Sequence, residues 1–69
     1  MVKLGKYRHF KGKEYEVIGI AKHSETLHEY VVYRCLYGNY DLWIRPIEMF
    51  EETIEKDGKT FKRFEYIGE

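Results

Sequence analysis

The chain has a single cysteine, Cys35, a single proline, Pro46, and no apolar run long enough to cross a bilayer, which takes about 20 residues. With no second cysteine, no internal disulfide can staple the fold. That argues against a small secreted scaffold and for a cytoplasmic protein. Nothing in residues 1–13 reads as a signal peptide: Lys3, Lys6, Arg8, Lys11 and Lys13 interrupt it and no apolar stretch follows. Net charge is missing too. Twelve basic and twelve acidic residues cancel, so no global attraction to nucleic acid or to a membrane surface is expected. Helical spacing of apolar residues with a cap is nearly absent, as are linkers, repeats and low-complexity tracts.

What the chain does have is aromatics, 17% of its 69 residues, seven of them tyrosine. Each can bury roughly 150–250 Å², so a chain of this size can fill one core without disulfides. β-branched and aromatic runs recur about every ten residues between turn signals. They predict strands over Gly5–Phe10, Glu14–Lys22, Glu29–Tyr37, Tyr40–Arg45, Thr53–Lys56 and Lys59–Ile67, with turns at Lys11–Gly12, Gly38–Asn39 and Asp57–Gly58. Pro46 lacks an amide proton and ends its strand, leaving Ile47–Glu52 for one short 3-10 or helical turn. The expected fold is all-β: a small SH3-like barrel of five to six strands, forming one domain over residues 1–69.

A two-residue loop at Gly38–Asn39 places Tyr37, Cys35 and Tyr33 opposite Tyr40, Leu42 and Ile44 on an apolar face. It sets Arg34 opposite Trp43, and Val32 opposite Arg45, on the other face. A slip of one residue would turn Arg34 and Arg45 toward the core, so the pattern favours this register. Trp43 then points outward, with a guanidinium across from it. An Asp57–Gly58 loop pairs Ile54 with Phe61 but leaves Phe64 and Tyr66 on the wrong face, which calls for a bulge or twist near Lys62–Arg63. Gly19, between the alternating pairs Tyr15/Val17 and Ile18/Ile20, is read as a bend in its strand.

The string Gly5-x-Tyr7-Arg8-His9-Phe10-Lys11-Gly12, followed by Tyr15-x-Val17-x-Gly19-x-Ala21-x-His23-Ser24-Glu25-Thr26, resembles a bacterial family of unknown function, number 1653 in its series. Val31-Val32-Tyr33, Leu36-Tyr37-Gly38, Trp43-x-Arg45-Pro46, Met49-Phe50 and Arg63-Phe64 continue the likeness over nearly the whole chain. Lys62 stands where the pattern has proline. The resemblance implies a small bacterial protein with a compact β fold, and it implies no activity.

Candidate chemistry is sparse. His23-Ser24-Glu25-Thr26 offers an imidazole, a hydroxyl and a carboxylate, but neighbours along a strand face opposite ways, so His23 and Ser24 do not readily form a base–nucleophile pair. A turn stabilised by local side-chain bonds competes with a ligand-binding loop here. His9, His23, His28 and Cys35 show no metal-ligand spacing, so neither a metal nor another cofactor is expected. Cys35 reads as an inert packing residue.

Trp43, Arg45 and Pro46, with Arg34 across the ladder and Tyr7 or His9 nearby, form the best candidate surface. It suits an extended peptide, a methylated cation or an unstacked base. Three functions follow. The favoured one is a non-catalytic binding or adaptor module that recognises a peptide or protein through Trp43, Arg45 and the loop His23–Thr26. The second is a nucleic-acid module using Lys6, Arg8, Lys11, Lys62 and Arg63, with steep salt dependence. The third is a small-ligand or enzymatic role centred on His23, Ser24 and Glu25, which needs a concave pocket. No membrane partner is expected.

Overall fold

The structure, a computed structural model, describes residues 2–68. Seven strands and one helical turn follow in order: β1 Gly5–His9, β2 Glu14–Lys22, β3 Glu29–Cys35, β4 Leu42–Pro46, α1 Ile47–Phe50, β5 Thr53–Lys56, β6 Lys59–Lys62 and β7 Phe64–Gly68. All pairings are antiparallel. They build a five-stranded sheet in the order β4-β3-β2-β1-β7 and a separate β5-β6 hairpin. The all-β expectation holds. The closure expected of a barrel is not made, because β4 and β7 remain the two outer strands of an open sheet. No helix among the described residues is long and apolar enough to cross a membrane.

The local reasons are visible at the turns. Asp57 and Gly58 both adopt positive φ (55° and 75°), the geometry of a two-residue hairpin turn, and Ile54 faces Phe61 as expected. The ladder breaks at Arg63, so the last extended run becomes two strands. β6 stays with β5, while β7 crosses to pair with β1 and turns Phe64 and Tyr66 toward the core side. A register shift between Val17 and Gly19 is the bend anticipated at Gly19. Pro46 ends β4 and stands as the N-cap of α1.

The hairpin between β3 and β4 corrects the expected register. Tyr33 faces Trp43, Arg34 faces Leu42, and Val31 faces Arg45, one residue out of the expected step. The cause lies in the loop. Asn39 does not take positive φ. Instead Tyr40 does (57°), its amide bonds the Tyr37 carbonyl (3.1 Å), and the connection runs from Leu36 to Asp41. Trp43 and Arg45 therefore share the core-side face with Tyr33 and Val31 rather than the outer face with Arg34. Arg45 is tolerated there because it lies on an edge strand, where its guanidinium can rest on an aromatic ring and still reach solvent.

The core comprises Val2, Tyr7, Val17, Val31, Tyr33, Phe50 and Phe64, with Tyr15 and Ile47 packed against it. α1 is only four residues long, and its structural contribution is Phe50, which stacks parallel on Phe64 at 4.2 Å. Cys35 is buried and unpaired, as expected of a packing residue.

Candidate functional site

The proposed site residues do not assemble into one place. Tyr7 is buried, and its hydroxyl both donates to the Lys3 carbonyl (2.8 Å) and accepts from the Lys3 amide (2.9 Å). It is a core residue. Arg8 lies on the outer face, bonded to Glu14 at 3.2 Å and opposite Glu65 of β7. Arg34 is also on the outer face and donates to the Tyr40 carbonyl at 2.9 Å. Pro46 faces Tyr30 on that same side.

His23, Ser24, Glu25 and Thr26 form the turn joining β2 to β3. His23 Nδ1 accepts from the amides of Glu25 (3.2 Å) and Thr26 (3.4 Å), and Thr26 Oγ1 accepts from the His28 amide (3.2 Å). These are the local bonds of a structural turn. Just beyond it, His28 Nε2 meets Glu48 Oε1 at 2.9 Å, tying the loop to α1. Among the described residues no three His, Cys, Asp or Glu side chains converge on a common point. The turn lines neither of two clefts found elsewhere. One, about 360 Å³, lies between Lys3, Tyr7, Phe50, Lys62 and Tyr66. The other, about 600 Å³, lies between His9, Phe10, Phe61 and Lys62.

Trp43 and Arg45 are different. Trp43 is 52% exposed on the edge strand. Two residues on, Arg45 is half-buried: its Nε donates to the Tyr33 hydroxyl at 3.3 Å and its guanidinium lies 5.4 Å from the Phe64 ring centre. Nothing among the described residues supplies Arg45 with a carboxylate. A guanidinium has five N–H donors, so four are left to a partner. Toward the centre of the sheet, His9 packs edge-on to Phe64 (4.9 Å) and Tyr15 (6.4 Å). Burial pushes its pKa below the usual histidine value, and the charges of Arg63, Arg45 and Lys11 push it further. This side of the sheet carries aromatic rings with Arg45 and Arg63 beside them, and its acids, Glu51 and Glu52, lie toward α1 and Arg63 rather than at Arg45.

The basic edge expected from the first and last strands is interleaved with acid. β1 and β7 do lie side by side, but Lys6 faces Glu16, Arg8 is paired with Glu14, and Arg63 grips Glu52 through Nε (3.0 Å) and Nη2 (2.8 Å). The sequence reading did not anticipate Tyr15, Tyr33 and Phe64 as the floor under Arg45. Only the alternation that placed Tyr33 on the core face pointed that way.

Fold and surface together define a small, mostly β domain with an open sheet. The chain belongs to the family of unknown function DUF1653, whose model matches residues 5–66. It is similar to the crystal structure of a DUF1653 protein from Bordetella bronchiseptica, at 33% identity and a TM-score of 0.88, over 97% of this chain and 88% of that one. No curated protein matches it.

Proposed function

We propose that the chain is a non-catalytic binding module that takes an extended acidic segment of a peptide or protein along β4, held by Trp43 and Arg45. The observation that carries this reading is Arg45: a half-buried guanidinium, braced by Tyr33 and Phe64, with no acid beside it among the described residues. A carboxylate can engage such a fork through two parallel bonds. The adjoining open edge of β4 can hydrogen-bond an extended chain, and the indole can cover its side chains. An SH3-like arrangement belongs to the same reading, supported by the adjacent first and last strands and the bend at Gly19. A cytoplasmic setting does too, supported by the free thiol of Cys35. Against catalysis stand the engaged His23 and the exposed His28–Glu48 pair, which among the described residues is hydrogen-bonded to no nucleophile.

An amide NMR titration tests it, with a capped seven-residue peptide alternating valine and glutamate and a control alternating valine and lysine. The acidic peptide is expected to shift Trp43, Arg45 and the His9 ring, whose pKa should rise as an anion arrives. Arg45→Gln should weaken binding at least about tenfold, equivalent to about 1.4 kcal/mol. Trp43→Ala should weaken it similarly while costing at most about 1 kcal/mol of stability, since the indole is half exposed. A stability loss of about 3–5 kcal/mol would instead make Trp43 a core residue. Equal binding of the lysine peptide, or silence at millimolar peptide, would end the reading. Salt-sensitive shifts with a short single-stranded oligonucleotide, centred on Arg8 and Lys62, would transfer it to nucleic acid.

A further inference from the structure

β4 is an outer strand, and its three consecutive apolar residues Leu42, Trp43 and Ile44 are 55%, 52% and 62% exposed. Protein edges of this kind are ordinarily blunted by lysine, a bulge or a covering element. β4 carries one inward-facing charge, Arg45, and ends in Pro46, but it has no lysine, its register with β3 is unbroken, and Leu42–Ile44 stays uncovered. The ladder shows which backbone groups are free. The Cys35 amide bonds the Asp41 carbonyl at 3.0 Å. By antiparallel alternation, Trp43 and Arg45 then exchange their bonds with Tyr33 and Val31. The amides and carbonyls of Leu42 and Ile44 point away from the sheet.

We propose that this edge pairs with the same edge of a second copy, antiparallel about a two-fold axis at Trp43. The proposal rests on the reading of β4 as the binding edge and names its partner. In this register Leu42 of each copy exchanges both backbone bonds with the partner's Ile44, which satisfies all the free groups of Leu42 and Ile44. The two Leu42–Ile44 pairs are apolar and lie on the outer face. On the core-side face the indoles meet across the axis, and Arg45 comes opposite the partner's Asp41. Among the described residues, Asp41 has no side-chain partner and Arg45 has no acid. Each therefore supplies what the other lacks. The alternative axis at Ile44 sets the Leu42 carbonyl against a proline, which has no amide to donate, and leaves Asp41 and Arg45 apart. A single strand pair buries little surface, so the dimer is weak and concentration-dependent.

Sedimentation of the unmodified protein, from micromolar to millimolar, should show the mass rising toward twice the monomer value. In amide exchange, Leu42 and Ile44 should gain protection with concentration, whereas Trp43 and Arg45 are protected by β3 throughout. Arg45→Glu alone and Asp41→Arg alone should each remain monomeric. An equal mixture of the two should associate, because both cross-axis pairs are then opposite in charge. Asp41 is exposed in a loop, so its variant keeps the test meaningful if Arg45→Glu folds poorly. Leu4→Lys, at an exposed site away from β4, should dimerise like the parent. A monomer at millimolar concentration that still binds the acidic peptide would overturn the dimer and leave the binding edge intact. A monomer that also ignores the peptide would overturn both. A dimer unaffected by either charge change would place the interface elsewhere.

Discussion

Phe64→Ala is expected to remove about 3–5 kcal/mol of stability, the usual cost of truncating a buried aromatic. Phe64 is 4% exposed and sits where α1 meets the five-stranded sheet. Its ring stacks on Phe50 of α1 at 4.2 Å and meets Tyr33 of β3 at 5.8 Å, Tyr15 of β2 at 5.5 Å and His9 of β1 at 4.9 Å. Arg45 of β4 lies over it. Aromatic pairs contribute about 0.5–1.5 kcal/mol beyond the area they bury, so several such terms vanish together. A domain of this size has in total about 3–10 kcal/mol, at roughly 0.05–0.15 kcal/mol per residue. At the middle of both ranges the variant loses more than half of its stability. Urea titration followed by circular dichroism reads this directly. Phe61→Ala, in the peripheral hairpin and only partly buried, should lose less than half as much. A Phe64 loss below about 2 kcal/mol would mean that the stack with Phe50 does not organise the core.

The same residue shows how far the sequence could be read. Strand positions were legible because burial on one face imposes a two-residue alternation, and because Asp57–Gly58 has few backbone options. Even the break before Phe64 left a trace, since Phe64 and Tyr66 fell on the wrong side of a continuous hairpin. The β3–β4 register was not legible. Gly38–Asn39 allows a two-residue loop, and the longer loop that forms instead places Tyr40, an uncommon residue at positive φ, in the left-handed region. The argument that arginine would be kept off the core face failed because Arg45 lies at a sheet edge. There its guanidinium lies over Phe64 and donates to the Tyr33 hydroxyl while remaining half exposed. With the register one step out, Trp43 was correctly read as exposed but assigned the wrong neighbours. Arg34 was placed across from it, where Tyr33 stands. Tyr7 was read as surface because nothing in the pattern reveals that the Lys3 backbone satisfies its hydroxyl. The contact proposed for Asp41 could not be reached from the sequence at all, because it depends on which amides of β4 face outward.

Stability should fall steeply above about pH 10, and tyrosine is the reason. Burial raises the Tyr7 pKa above its ordinary value of 10.0, outweighing the backbone bond from Lys3 that works against it. The hydrogen bond with Tyr15, at 2.8 Å between hydroxyls, raises the Tyr37 pKa, with burial adding to it. In both cases the folded state keeps a proton that the unfolded chain releases above its own pKa near 10. The unfolded state then binds fewer protons, so the stability contributed by each group is complete below pH 10 and is lost as pH rises through the folded-state value. For either group the slope cannot exceed about 1.4 kcal/mol per pH unit, and it acts only between the unfolded and the folded value. Tyr37 is closer to solvent and adds less. Urea midpoints measured at pH 8, 9, 10 and 11 should stay level to pH 9 and then drop. Tyr37→Phe, which cannot ionise, should drop less steeply than the parent. A midpoint unchanged at pH 11 would show that Tyr7 ionises in the folded protein as easily as in water, and that its ring is not held where the core requires it.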